Sequence, residues 1–257
     1  MHSISRLYDH LFLLEKNKNK THLYPIHKKL DYVKIKCNHL YEYILQHHIE
    51  SDTKLNILDA GCGVGFGSIF LAERTSNQIT GISLSELEIQ QAYISLKQKG
   101  LTNCKFHKLS FDKIQNETFD LIICLESFKH SFDFQKTLSH FESILSPKGK
   151  IIIIDDFYTG DNAEGKHETR FKKYWNLNEL LEEKQLHQTN FKIQAEDLTP
   201  FMKGFSYPLL LLKYFFTEIL AVFKGYSFKK LFGGGVILEK LYAKNEMKYK
   251  LIELRLC

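Results

Sequence analysis

Arginine is scarce in this chain, with only Arg6, Arg74, Arg170 and Arg255 among 257 residues. A nucleic-acid reader is built on guanidinium forks and a concentrated basic stripe, whereas these lysines are interspersed with acids, so nucleic acid is not an expected partner. The formal net charge of +5 does little to name another. Cysteine is equally uninformative as a framework. Cys37, Cys62, Cys104, Cys124 and Cys257 are odd in number, widely spaced and never in a Cys-x-x-Cys pair, so neither a disulfide scaffold nor a metal site is signalled. The first twenty residues carry acids within their apolar patch and lack a small-residue cleavage site, which argues against a secretory signal and for a cytoplasmic location. No uninterrupted membrane-spanning run is present. The nearest approach, 205–223, is broken by Pro208, Lys213 and Glu218, and charges near a bilayer centre cost ~2.5 kcal/mol or more each.

What is present is a regular alternation. With 44% hydrophobic and 25% charged residues the composition is that of an ordinary folded domain. From residue 54 onward, apolar runs of strand length at 55–60, 78–82, 104–108, 119–125 and 150–155 alternate with helical segments at 66–74, 85–99 and 134–145. That is the pattern of a parallel sheet with crossover helices. Ser85 and Glu88 stand in capping-box spacing and Gly100 ends the helix they open, while 146–149 (Ser-Pro-Lys-Gly) reads as a turn before the next strand. A helix is expected at 39–48 within an N-terminal cover of 1–50. Behind the fifth strand lie a helix at 176–185 and strands at 191–198 and 249–256. The core thus reads as 51–199 with 246–257, and residues 200–245 as an apolar helical lid inserted before the last strand.

The most informative line is 57–67, Ile-Leu-Asp-Ala-Gly-Cys-Gly-Val-Gly-Phe-Gly, a buried strand running into a glycine turn and a helix. Ligands of open parallel sheets bind beyond the carboxyl ends of the strands, where glycines let the backbone come close. Counted from Gly61, the third glycine of a dinucleotide fingerprint would fall on Phe66, and counted from Gly63 on Ser68, so that fingerprint fails. The Gly-Lys-Ser/Thr of a phosphate loop is also missing. A carboxylate at Asp59 would repel a pyrophosphate and suits a cationic cofactor, which points to S-adenosylmethionine.

With ITGISLS after the second strand, FDLIICLES in the fourth and LSPKGKIIIIDDF in the fifth, the chain resembles class I S-adenosylmethionine-dependent methyltransferases in order over about 55–155. The likeness is to the small-molecule branch that includes sterol and tocopherol methyltransferases and cyclopropane fatty-acid synthases. It implies a Rossmann-like α/β fold with a mostly parallel seven-stranded sheet. It also implies that Asp59, Gly61, Cys62 and Gly63 line the methionine and ribose part of the cofactor. Ser83, Leu84 and Ser85 then fall where the family contacts ribose and adenine, Ser110 at the adenine amine, and Phe111 and Leu125 among the cofactor-binding residues. Two acids of the usual pattern are replaced, by Ser83 and by Ser110, with Asp112 the nearest substitute for the second.

Beyond Leu125 the same resemblance puts the acceptor near Glu126 and His130. His130 is either a general base, given an ordinary pKa of ~6.5, or an orienting group in the turn. Glu126 either holds an acceptor cation or binds loop amides. Asp155 and Asp156 read as pocket polarity and not as a metal site. The apolar residues of 200–245 favour a small or lipid-like acceptor. Their competing uses are packing, peripheral membrane contact through 205–223, or contact with a second subunit. The expected activity is methyl transfer to oxygen, nitrogen or carbon. The alternatives are methylene transfer to a lipid olefin and a non-catalytic partner domain of the same fold.

Overall fold

A computed structural model describes residues 9, 36–37, 39–50, 53–159, 181, 186, 189–202, 212, 215–216, 219 and 238–257. All of the expected helix at 176–185 but Leu181, most of the N-terminal cover and most of the 200–245 insertion lie outside these residues.

Seven strands form one sheet: β1 (Asn56–Ala60), β2 (Gln78–Ser83), β3 (Cys104–Lys108), β4 (Phe119–Leu125), β5 (Leu145–Tyr158), β6 (Phe191–Asp197) and β7 (Met247–Leu256). Their spatial order is β3-β2-β1-β4-β5-β7-β6. All run parallel except β7, which is antiparallel to both of its neighbours. The helices are α1 (Leu40–His48), α2 (Phe66–Arg74), α3 (Glu86–Lys99) and α4 (Phe134–Ile144). Three of the four open on a side-chain cap. Ser85 Oγ accepts from Glu88 N at 3.1 Å at the start of α3, Asp133 Oδ1 from Lys136 N at 3.0 Å at the start of α4, and His39 Nδ1 from Glu42 N at 3.2 Å at the start of α1.

Strand residues alternate between two buried layers, as the period of two requires. Ile57, Ile79, Leu121, Ile123, Ile152 and Ile154 pack with α1, α2 and α3 on one face, and Leu58, Ile82, Ile122, Ile151 and Ile153 pack with α4 on the other. Central strands covered on both faces need continuous apolar runs, which is why β5 carries four isoleucines in succession. That strand is longer than its sequence suggests. It begins directly at the end of α4, and the expected turn at 146–149 lies within it as an irregularity, with Leu145 opposite Phe119 and Lys150 opposite Leu121. At the other end it continues to Tyr158 because β7 pairs with it as far as Met247.

The helix α1 lies closely against α2 at Gly67. A Cβ added to Gly67 would fall 1.9 Å from Tyr41 Cζ, so the absence of a side chain lets the phenol ring cross the first turn of α2. Gly67→Ala should therefore destabilise the fold by about 1–3 kcal/mol through overpacking, read as a melting temperature lowered by several degrees. An unchanged melting temperature would contradict this packing.

Candidate functional site

The strand order reverses direction between β1 and β4, which pair with one another at the middle of the sheet. In open α/β sheets the crevice beyond the carboxyl ends at such a switch point is where ligands bind. Here it is framed by the loop after Ala60 and the loop after Leu125. The two are stitched together, since Ser127 Oγ donates to Ala60 O at 2.6 Å and a Cβ on Gly61 would lie 2.4 Å from Ser127 Cβ. The first loop is fixed from β2, whose Ile82 carbonyl accepts from Gly61 N and Cys62 N at 3.0 and 2.9 Å. Gly61 and Gly63 have φ of 96° and 52°, the left-handed region that suits glycine. Gly63 has nothing within 4 Å of the place a Cβ would take, so the loop presents bare backbone to open space there. That cradle fits a cofactor approaching the main chain closely.

Asp59 is 1% exposed on the strand leading into the loop. Its carboxylate accepts from Tyr41 Oη at 3.1 Å on both oxygens and from Ser68 Oγ at 2.6 Å. These bonds run to α1 and α2, so the residue joins the N-terminal helix to the glycine loop and places a negative charge beneath it. Burial and then the nearby Asp59 charge push the Tyr41 phenol well above its ordinary pKa, which keeps it a donor, and the same two causes, in that order, keep Cys62 a thiol. Tyr41 was not among the residues expected from sequence. Eighteen positions from Asp59 and ahead of the motif, it carried no local signal.

At the end of β2 the acid missing at Ser83 is replaced from elsewhere. Ser83 Oγ donates to Glu88 Oε2 at 2.6 Å, and Ser85 Oγ donates to Asp9 Oδ1 at 2.5 Å. The capping box therefore closes on one side only. Ser85 caps Glu88 N, but Ser85 N turns to Ser83 Oγ at 3.1 Å and the Glu88 carboxylate serves Ser83 instead. Two carboxylates thus reach the stretch formed by Ser83, Leu84 and Ser85, and Glu88 is a candidate binding residue that the capping pattern had concealed. Next to β3, Ser110 Oγ donates to Asp112 Oδ1 at 2.6 Å, which, ahead of Lys136, holds that carboxyl below its usual range. Phe111 opens the short turn that carries Asp112 and lies against Phe141 of α4.

The second loop begins with buried Leu125 and then Glu126, a non-glycine residue at φ 52°. Such strain is tolerated where surroundings impose it. Here Glu126 N donates to Ile154 O at 2.7 Å, and Oε1 accepts from Tyr249 Oη at 2.9 Å. Behind it, Lys129 Nζ lies 2.9 Å from both Asp155 Oδ1 and Asp156 Oδ2, and Tyr242 Oη donates to Asp156. Asp155 and Asp156 are therefore an ion cluster closed by Lys129, a partner hidden from sequence by its distance of 26 and 27 positions. The two carboxylates outweigh burial and hold Lys129 well above its ordinary pKa, and burial raises Asp155 against the pull of Lys129. Among the described residues, no group of three or more His, Cys, Asp or Glu side chains is placed to hold a metal ion.

His130 sits in the same loop, its N donating to Ser127 O at 3.0 Å. Burial and then the Lys129 charge lower its pKa to about 3. The imidazole is thus neutral at pH 7 but a reluctant proton acceptor, because bases work best with pKa values near the operating pH. This environment disfavours proton uptake.

A family model described as a methyltransferase domain matches residues 51–204, and the chain belongs to that family. A sterol 24-C-methyltransferase of Gibberella zeae is 27% identical over 131 residues, 48% of this chain and 34% of the relative. A protein of Talaromyces variabilis named as an S-adenosyl-L-methionine-dependent Diels-Alderase is 24% identical over 191 residues, 65% of each chain. The chain thus spans from about a third to two-thirds of the length of these relatives. Among solved structures, a geranyl diphosphate C-methyltransferase from Streptomyces coelicolor A3(2) superposes with a TM-score of 0.71 at 14% identity, over 100% of this chain and 97% of that one. The 4+2 cyclase SpnF superposes with a TM-score of 0.69 at 17% identity, over 98% and 95%. At these identities the structural matches establish the fold, the Rossmann-like methyltransferase fold with its seven-stranded sheet.

The His130 environment has a measurable consequence. With the folded pKa near 3 and the unfolded one about 6.5, the unfolded state binds the extra proton as pH falls. Stability is therefore retained above pH ~6.5 and declines by up to about 1.4 kcal/mol per pH unit towards pH ~3. His48, lowered to about 4 mainly by burial, adds a similar contribution. Urea unfolding of His130→Gln at pH 7 and 5 should show a smaller acid loss than the parent. Equal losses would contradict the neutral, buried imidazole.

Proposed function

We propose that this protein is an S-adenosylmethionine-dependent methyltransferase that works in the cytoplasm on a small, largely apolar or lipid-like acceptor. The observation that carries the reading is the glycine loop over buried Asp59 at the β1/β4 switch point, open at Gly63 and backed by a negative charge. A sulfonium cofactor is favoured by that charge, whereas a pyrophosphate is opposed by it. Gly61 and Cys62 shape the loop, since their amides are engaged by Ile82. Glu88, with Ser83, supplies an acceptor for a ribose hydroxyl in place of the missing β2 acid.

When bound, S-adenosylmethionine supplies an electrophilic methyl group on a positively charged sulfur. This chain's part is to align the acceptor, exclude water and fix the charges around the reacting centre. Glu126, held by Tyr249, and the Lys129–Asp155–Asp156 cluster set the polarity of the acceptor end. His130 remains uncharged and is held in the loop by its backbone N–H to Ser127 O. Sterol and geranyl diphosphate methyltransferases among the similar proteins support an apolar acceptor.

A second reading, in which the cofactor is bound and not consumed, is supported by the Talaromyces relative named as a Diels-Alderase. Calorimetry with S-adenosylmethionine tests what the two share. Saturable binding is expected, and none at millimolar cofactor would overturn both. Formation of S-adenosylhomocysteine with an apolar acceptor panel separates them. Glu88→Ala should weaken cofactor binding by roughly tenfold or more, the worth of a hydrogen bond to a charged group. An unchanged affinity would overturn the ribose assignment.

A further inference from the structure

We propose that Leu212, Phe215, Phe216 and Ile219 form a docking face that seats this protein on an anionic lipid bilayer, a proposal that deepens the lipid-like acceptor reading and rests on it. All four positions are helical, and spacings of three, four and seven are those at which residues share one side of a helix. They are 53, 61, 53 and 42% exposed, and they account for four of the seven large hydrophobic residues that are exposed among those described. The Phe215 and Phe216 rings meet edge to face with centroids 6.0 Å apart, so these two side chains present one joined apolar surface. Scattered exposed apolar residues are ordinary, but a contiguous stripe marks an interaction surface.

Charge selects the occupant. Between residues 198 and 238 the sequence carries Lys203, Lys213, Lys224, Lys229 and Lys230 against a single acid, Glu218, so most of the chain's net charge of +5 lies in this stretch. A second copy would bring like charge against like. An anionic bilayer accepts both features, taking aromatic and aliphatic side chains into the headgroup boundary and attracting each nearby lysine by about 1 kcal/mol. No helix among the described residues is long and apolar enough to cross a membrane.

The stretch is also anchored beside the acceptor end of the sheet. Before it, Leu198 N donates to Tyr249 O at 2.8 Å, and Tyr249 pairs with Asp156 at the end of β5. After it, residues 238–243 are helical, Leu238 and Leu241 are buried, and Tyr242 donates to Asp156. Both ends of the lysine-rich stretch therefore meet the carboxyl end of β5, and a lipid-borne acceptor drawn from the bilayer would enter on that side.

Co-sedimentation of the full chain with phosphatidylcholine vesicles, with and without phosphatidylglycerol, tests the face directly. Binding to the anionic vesicles is expected, weakened by salt, and reduced about tenfold or more in the double variant Phe215→Glu, Phe216→Glu through loss of two buried rings. The variant should keep the parent melting temperature and cofactor affinity, because these side chains lie outside the core. Lys224→Gln, Lys229→Gln, Lys230→Gln should reduce the anionic preference while retaining the aromatic residues. Failure of the parent to sediment with anionic vesicles, or equal sedimentation of the aromatic variant, would overturn the proposal. So would a parent dimer that the aromatic variant dissociates, with no vesicle binding by either. Cofactor binding measured on the same samples keeps this failure separate from failure of the methyltransferase reading.

Discussion

A buried carboxylate must be satisfied, and the hydrogen bonds that satisfy Asp59 decide much of this architecture. An ion taken out of water is costly unless charged or hydrogen-bonding partners compensate it. Tyr41 and Ser68 do so here, and each belongs to a different helix. The requirement for Tyr41 at that point is what excludes a side chain at Gly67. One interaction thereby brings α1 over the sheet, sets the start of α2 and puts a negative charge beneath the glycine loop. The N-terminal helix is part of the site's construction and not simply a cover laid upon it.

The two loops at the switch point solve opposite problems. The β1 loop minimises side chains, so that backbone can approach a ligand, and its shape is maintained from Ile82 and Ser127. The β4 loop concentrates charge, with Glu126 in a strained conformation and Lys129 paired with both the Asp155 and Asp156 carboxylates in the interior. Removing Lys129 from such a cluster would leave uncompensated buried charge, a much larger cost than the net worth of the ion pairs. Polarity at this end is consequently built into the fold and available to orient an acceptor without protonation of His130.

Much of the sheet was legible because its periodicity is local. The strands at Cys104–Lys108 and Phe119–Leu125 and the helix at Phe66–Arg74 fall where apolar spacing put them. The extent of β5 was not legible, because its last turns of pairing are set by β7, nearly a hundred residues later. The same distinction holds at the site. Glycines and Asp59 announce themselves as a contiguous motif, whereas Tyr41, Lys129 and Tyr249 act through contacts distant in sequence. Glu88 is the instructive intermediate case. Its spacing from Ser85 signalled a helix cap, yet its carboxylate turns to Ser83, a choice made by the end of β2 and not by the helix.

A crystal structure with S-adenosylhomocysteine is the most direct measurement of the central claim, that the loop over Asp59 receives a sulfonium-derived cofactor. The amino-acid portion is expected beside Gly61 and Gly63, the ribose hydroxyls against Ser83 and Glu88, and the Tyr41 and Ser68 bonds to Asp59 intact. Ligand density elsewhere on the sheet, or binding that expels Asp59 from those partners, would contradict it.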